Sequence, residues 1–221
     1  MKKILLFLLF LLPILSFTQL PTSNGDIYHR DGYSFSYNEK HEQANWVYYK
    51  ITTSDLVCDQ TAKRKNYFKE DRLVKTGSSK KSDYYKSGLD RGHLKPSASE
   101  RCDQEQMNET FLMSNMSPQY PSLNRFIWKN LEANVRDTVL KSDSVIVVTG
   151  PILTDSLKTI GENEVSVPEY FYKVIKVYKN EKMSEWCYLI PNLKDKNSYK
   201  ELNKYLVDKD YICELTNISD F

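Results

Sequence analysis

The sequence predicts one α+β domain in which helices flank an antiparallel β-sheet. Three observations carry that expectation. Short runs rich in Val, Ile and Tyr read as strands: residues 46–53 (WVYYKITT), 145–149, 170–178 and 185–190. The last two runs are joined by residues 179–184, a hairpin-length link that makes neighbouring strands antiparallel. One stretch, residues 122–140, is helical, because Leu123, Ile127, Leu131, Val135 and Val139 recur every four residues as an apolar stripe.

Composition fits a folded chain. Of 221 residues, 40% are hydrophobic and 27% charged, enough for one domain with a real core and too apolar for disorder. The first segment stands outside the fold. Lys2 and Lys3 precede an apolar run from Ile4 to Phe17 that is shorter than the ~20 residues of a membrane span. Small or polar residues stand at Ser16, which with Pro13 interrupts the run, and at Thr18, so residues 1–18 read as a signal peptide with cleavage near Gln19. That reading makes the protein secreted or periplasmic, without a stable membrane anchor, and residues 19–221 its single domain. Removing Lys2 and Lys3 from the 31 basic residues leaves 29, equal to the 29 acidic ones. A polyanionic partner must therefore be held by a local patch, not by net charge. Export permits disulfides, and Cys58, Cys102, Cys187 and Cys213 allow three pairings. No pair has C-x-x-C spacing, which argues against structural zinc.

In chain order, residues 19–44 are polar, with Asn24-Gly25 and Asp31-Gly32 as turn signals and His29 and His41 as surface residues. Residues 58–82 read as a long solvated connection with a short extended piece around Tyr67-Phe68. Pro96 disfavours helix before it, which puts His93 on an extended segment. A helix or turn follows through Glu109, and Ser117-Pro118-Gln119 turns the chain. Ser122 is the expected N-cap of the long helix. Residues 154–168 are a loop, residues 193–207 are partly helical, and residues 211–215 are a last strand. There is no internal repeat.

Two islands carry chemistry. Asp90-Arg91-Gly92-His93 sets a histidine between an acid, an arginine and a glycine. A neutral imidazole accepts a proton near pH 7, and a guanidinium grips a phosphate by paired hydrogen bonds. On the helix, Asn124, Trp128, Glu132 and Arg136 form a second stripe beside the apolar one. At ~100° per residue, Asn124 and Glu132 are ~80° apart around the axis and ~12 Å apart along it. Cutting a phosphodiester needs a base, a hard cation on oxygen ligands and positive charge. His93, Asn124 with Glu132, and Arg91 with Arg136 supply those parts. On spacing alone other readings stand beside these. His93 is compatible with a core histidine, Asn124 with a helix-start residue, Glu132 and Arg136 with an exposed i,i+4 pair, and Trp128 with the core.

The same residues resemble the DNA/RNA non-specific endonuclease family. Asp90-Arg91-Gly92-His93-Leu94-x-Pro96 is similar to its DRGH signature. Ser114-Asn115-Met116-x-Pro118-Gln119, then Asn124, Trp128 and Leu131-Glu132, resemble its second block. Asn45-Trp46-Val47, Val148-Thr149-Gly150-Pro151, Val167-Pro168-x-x-Phe171-Tyr172-Lys173 and Ile190-Pro191-Asn192 extend the likeness over residues 45–221. The resemblance implies a ββα-metal (His-Me finger) site, with His93 as general base and Asn124 as the direct ligand of Mg²⁺ or Mn²⁺. Glu132 would hold the metal's waters, Arg91 and Arg136 would stabilise the transition state, Asn115 would order the site and Asp90 would brace the motif. Arg64 stands near an upstream family arginine in a loosely matching stretch. Ser99 replaces a common acid and Phe126 a common glycine, which leaves substrate preference open. The implied activity is a metal-dependent, sugar-non-specific endonuclease acting on DNA and RNA and leaving 5′-phosphates. Two alternatives remain: a nucleic-acid-binding protein on the same fold without turnover, and a phosphodiesterase for small nucleotides. Protein partners are not legible.

Overall fold

The computed structural model describes residues 20–23, 25–219 and 221. The expected signal peptide, residues 1–18, lies outside the described residues. Among the described residues ten strands form in chain order: β1 (Ile27–His29), β2 (Ser34–Asn38), β3 (Gln43–Ile51), β4 (Asp90–His93), β5 (Met116–Gln119), β6 (Ser144–Pro151), β7 (Thr159–Ile160), β8 (Val165–Ser166), β9 (Tyr170–Lys179) and β10 (Lys182–Pro191). The α-helices are α1 (Thr53–Leu56), α2 (Gln104–Glu109), α3 (Lys129–Val139) and α4 (Lys209–Thr216).

Six strands make one antiparallel sheet in the order β1-β2-β3-β6-β9-β10. The fold is therefore α+β with an antiparallel core, as the sequence predicts. Residues alternate between the two faces. Tyr49, Ile51, Val145, Val147 and Ile175 pack beneath the long helix, against Leu123, Ile127, Leu131, Val135 and Val139. Trp46, Val148, Tyr172 and Val174 point the other way, onto Ile212 of α4 and the C-terminal Ile218 and Phe221. Both faces are covered, which explains why β6 is buried at every position from Val145 to Pro151 instead of alternating.

Several local readings change. Residues 34–38 (SFSYN) form a strand, with Phe35 and Tyr37 buried, within a stretch read as polar. His41 is buried, not superficial: its Nδ1 lies 2.8 Å from Ser166 Oγ. Ser117-Pro118-Gln119 does not turn the chain but lies in β5, a two-stranded ribbon with β4 where proline's missing N–H is tolerated. Residues 211–215 lie in α4, not a strand, and that helix ends on Asn217 in a left-handed conformation (φ 54°). The β9–β10 link is tighter than expected. Asn180 and Glu181 alone make it, both at positive φ, as a twist-matched two-residue hairpin requires.

Among the cysteines the structure selects one pairing, Cys58–Cys102, and leaves Cys187 and Cys213 as thiols. The bridge closes a loop of sequence separation 44 that contains residues 58–82 and β4. Replacing both bridged cysteines with serine should cost ~2–4 kcal/mol, the usual range for loops of this order. Guanidinium unfolding checks this, the expected outcome being a lower midpoint with an unchanged far-UV spectrum.

Candidate functional site

The β4–β5 ribbon builds one wall of a cleft. Its register pairs Asp90 with Gln119, Gly92 with Ser117 and His93 with Met116. Gly92 is required by this packing, because a Cβ there would meet three Gln119 side-chain atoms within 2.6 Å. Behind the ribbon, Asn115 is fully buried and clamps the backbone after His93. Its amide nitrogen donates to the carbonyls of Lys95 (2.9 Å) and Thr110 (2.8 Å), and its Oδ1 accepts from the Lys95 N–H at 2.9 Å. Lys95 also points away from the cleft. It is buried beside Glu100, with its ammonium between the Tyr33 and Tyr49 rings.

The long helix forms the opposite wall, and its start differs from expectation. The Ser122 hydroxyl does not cap it but donates to the Leu193 carbonyl. Helical backbone begins at Pro121, a position where proline loses only an orphan N–H. Residues Leu123–Trp128 form a π-helix before α3 continues. Bonds reaching five residues back widen the turn, so each residue advances less around the axis than in an α-helix. That narrows the ~80° offset expected for Asn124 and Glu132 in a regular helix and turns both toward β4.

Of the seven residues singled out from the sequence, six line one cleft of about 660 Å³: Asp90, Arg91, His93, Asn124, Glu132 and Arg136. Asn115 is not among them and acts on the backbone behind. The two walls meet at Asp90. Its carboxylate accepts from Asn124 Nδ2 (2.9 Å) and takes a two-pronged contact from Arg125 at 2.8 and 2.7 Å. Burial raises the Asp90 pKa, but the hydrogen bonds from Arg125 and Asn124 and the charge of Arg91 outweigh it, holding the group ionised below its usual range. An ionised carboxylate accepts only. It therefore fixes the Asn124 amide with nitrogen toward Asp90 and leaves Oδ1 on the other side.

Aromatic packing, not a hydrogen bond, sets the His93 ring. Phe111 stands at 89° to it with centroids 4.8 Å apart, and Phe68 lies 5.9 Å away. The Trp128 indole donates to the His93 carbonyl at 3.4 Å. Burial, then the charges of Arg64 and Arg91, lower the His93 pKa to about 3, so the imidazole is neutral at pH 7. Arg91 stacks 4.4 Å over Phe68, and its Nε is buried without a hydrogen-bond partner, as is Nη1 of Arg136. Such orphaned donors beside a cleft suit an incoming anion.

Glu132 is partly buried, which raises its pKa, while Lys173, Arg136 and Arg64 pull it down. Lys173 escaped the residue-level reading. It lies beneath the helix, fully buried, its ammonium 4.4 Å from the Trp128 ring centroid, with burial lowering its pKa and Glu132 opposing. Arg125, Lys129, Asn66 and Phe68 also line the cleft without having been singled out. Arg64 does too, carried there by the segment the Cys58–Cys102 bridge anchors. Of these, Arg64 carried a loose sequence signal, and Lys173 stood in the Val167–Lys173 likeness without a role assigned to it.

Among the described residues, no cluster of three or more His, Cys, Asp or Glu side chains could hold a metal. What the cleft offers is one neutral amide oxygen, Asn124 Oδ1, with the Glu132 carboxylate on the same wall. That hard, oxygen-only set fits a divalent cation that keeps most of its own water, and does not fit zinc.

Comparison with known proteins agrees with this geometry. The sequence model described as DNA/RNA non-specific endonuclease matches residues 15–221. A nuclease from Syncephalastrum racemosum is 35% identical over 173 residues, covering 70% of this chain and 54% of that protein. Human mitochondrial endonuclease G is 32% identical over 156 residues, covering 66% of this chain and 52% of that protein. The chain thus spans about half the length of these two relatives. A chain from a solved EndoG/EndoGI complex superimposes with TM-score 0.82 at 29% identity, covering 92% of this chain and 86% of that one.

The neutral His93 has a consequence for stability. Its folded pKa of about 3 lies below the ordinary imidazole value of 6.5, so the unfolded chain binds the extra proton between those values. Stability tied to His93 is full above the unfolded value and lost as pH falls through that window. In urea unfolding, His93→Asn should therefore lose less stability than the wild-type protein between pH ~6.5 and ~4.5. Parallel losses would contradict the assignment.

Proposed function

Because the chain belongs to the DNA/RNA non-specific endonuclease family, we propose that residues 19–221 act as one metal-dependent, sugar-non-specific endonuclease domain hydrolysing phosphodiesters of DNA and RNA. One observation carries the reading. A neutral imidazole, an amide oxygen left open by Asp90, and the guanidiniums of Arg91 and Arg136 line the same cleft.

In the proposed reaction, His93 accepts a proton from the water that attacks phosphorus. The two phenylalanines hold the ring in place, so little orientation is lost when substrate arrives. Burial is the largest cause that depresses His93, and a bound phosphate offsets the lesser ones, the charges of Arg64 and Arg91, and so recovers part of its basicity. Arg91 and Arg136 face the phosphate and stabilise its growing charge. Asn124 Oδ1 would hold Mg²⁺ (or Mn²⁺), with Glu132 contacting its water shell. When bound, the ion supplies positive charge for the phosphate and the departing 3′ oxygen. The products carry 5′-phosphates. Asp90 acts through Asn124 and Asn115 through the backbone, so both are positioning residues.

The apolar residues 4–17 after Lys2-Lys3 support export, to the medium or the periplasm. No helix among the described residues is long and apolar enough to cross a membrane. Mass spectrometry of exported protein should find the chain beginning near Gln19, and a product retaining Met1 would contradict export by cleavage.

Purified protein should nick plasmid DNA and degrade RNA in Mg²⁺, and EDTA should stop both. Absence of cleavage in Mg²⁺ would overturn the reading. His93→Ala should lower the rate ~10²–10⁴-fold, the range for losing a general base, while still binding DNA. Asn124→Ala should shift the Mg²⁺ titration to higher concentration, and an unchanged titration would remove Asn124 as the ligand.

A further inference from the structure

Residues 64–69 form a wall one chain thick between two hollows. Arg64, Asn66 and Phe68 line the cleft that contains His93 and Asn124. Lys65, Tyr67 and Lys69 line a second hollow of about 490 Å³. Alternation over six residues gives the segment two working faces, as a near-extended chain does. Both ends are pinned. The Lys63 N–H donates to Gln104 Oε1 at 2.8 Å, and the Lys63 carbonyl accepts from Gln104 Nε2 at 3.1 Å. The Lys69 N–H donates to the Phe111 carbonyl at 3.3 Å, and its carbonyl accepts from Met113 at 2.8 Å. Six residues span at most ~20 Å, so the two hollows are close enough for one polymer to reach both.

The outer face has the chemistry of a single-strand subsite. Tyr67 is 66% exposed, and Lys69 Nζ sits 4.3 Å from its ring centroid. Among the described residues neither Lys65 nor Lys69 forms an ion pair. Glu109, the carboxylate lining this hollow, is already paired with Arg30 at 3.2 Å. A flat exposed ring with the Lys69 ammonium against it and Lys65 lining the same hollow fits a stacked base with flanking phosphates. An acidic peptide would use the lysines and leave the ring idle.

We propose that this outer face is a second binding site for the nucleic-acid strand whose scissile bond lies in the cleft, with a base on Tyr67 and flanking phosphates on Lys65 and Lys69. The proposal rests on the nuclease reading and deepens it. Stacking needs an unpaired base, so the site favours single-stranded DNA or RNA over duplex.

Binding in EDTA separates this proposal from turnover. Anisotropy of a labelled single strand of roughly 12 nucleotides should show Tyr67→Ala binding roughly tenfold more weakly than the wild-type protein. Tyr67→Phe, which keeps the ring, should bind like the wild-type protein. The deficit of Tyr67→Ala should shrink with a strand of roughly four nucleotides, too short to cover both hollows. Unaltered affinity of Tyr67→Ala overturns the proposal, as does loss with Lys65→Ala and Lys69→Ala but not Tyr67→Ala, the result for a purely ionic or acidic-peptide site. Equal loss in Tyr67→Phe also overturns it. If the wild-type protein fails to nick plasmid in Mg²⁺ yet Tyr67→Ala still weakens strand binding, the nuclease reading falls and the subsite stands.

Discussion

The contact between Asp90 and Asn124 is the one on which the site depends. Asp90 belongs to a strand ribbon and Asn124 to a helix, 34 residues apart. Arg125 on the same carboxylate and the Trp128 indole on the His93 carbonyl also tie the two walls together, but this bond is the one that reaches the Asn124 amide. The chemistry of the pair is asymmetric. An ionised carboxylate only accepts, so the amide must present nitrogen to it and oxygen away. Arg125 secures the carboxylate from the solvent side by two bonds and keeps it ionised. A strand acid thereby determines which atom of a helix side chain is available to a cation.

The helix must also present Asn124 and Glu132 together, and a regular α-helix does so poorly. The π-helical turn at Leu123–Trp128 corrects this by widening the first turns. Its cost is borne by the packing around it. Leu123, Ile127 and Trp128 are all buried, and the Trp128 ring lies between Phe171 and the Lys173 ammonium. The apolar stripe holds the distorted turn against the sheet, and the polar stripe benefits from the distortion.

This division explains what the sequence made legible. The apolar stripe from Leu123 to Val139 and the β9–β10 hairpin were readable because burial selects residue types with a period. Residues 34–38 alternate as cleanly, yet their polar surroundings masked the signal. Residues 211–215 were too short for periodicity to tell helix from strand, while Asn217 at the helix end was the better clue. Pro118 suggested a turn because the ribbon partner that makes a strand tolerable there is more than twenty residues away in sequence. In the site, chemistry-bearing residues stood out by type and spacing, so six of seven gather in one cleft. Residues that act by position were not legible. Phe68 and Phe111 look like ordinary hydrophobics, and Lys173 looks like a polar residue of a strand.

Those silent residues decide how the visible ones behave. His93 has no hydrogen-bond partner for Nε2 and is oriented by ring edges alone. A carboxylate beside it would hold the ring equally well but would raise its pKa and charge it near neutrality. Phenylalanines orient without adding charge, and Arg64 and Arg91 push the pKa the other way. The free protein therefore keeps a neutral imidazole amid cations. In the proposed reaction an arriving polyanion would offset those two charges, while burial, the largest cause of the low value, would remain. The aromatic wedge thus fixes the ring geometry, and burial together with the arginine pair keeps the ring neutral.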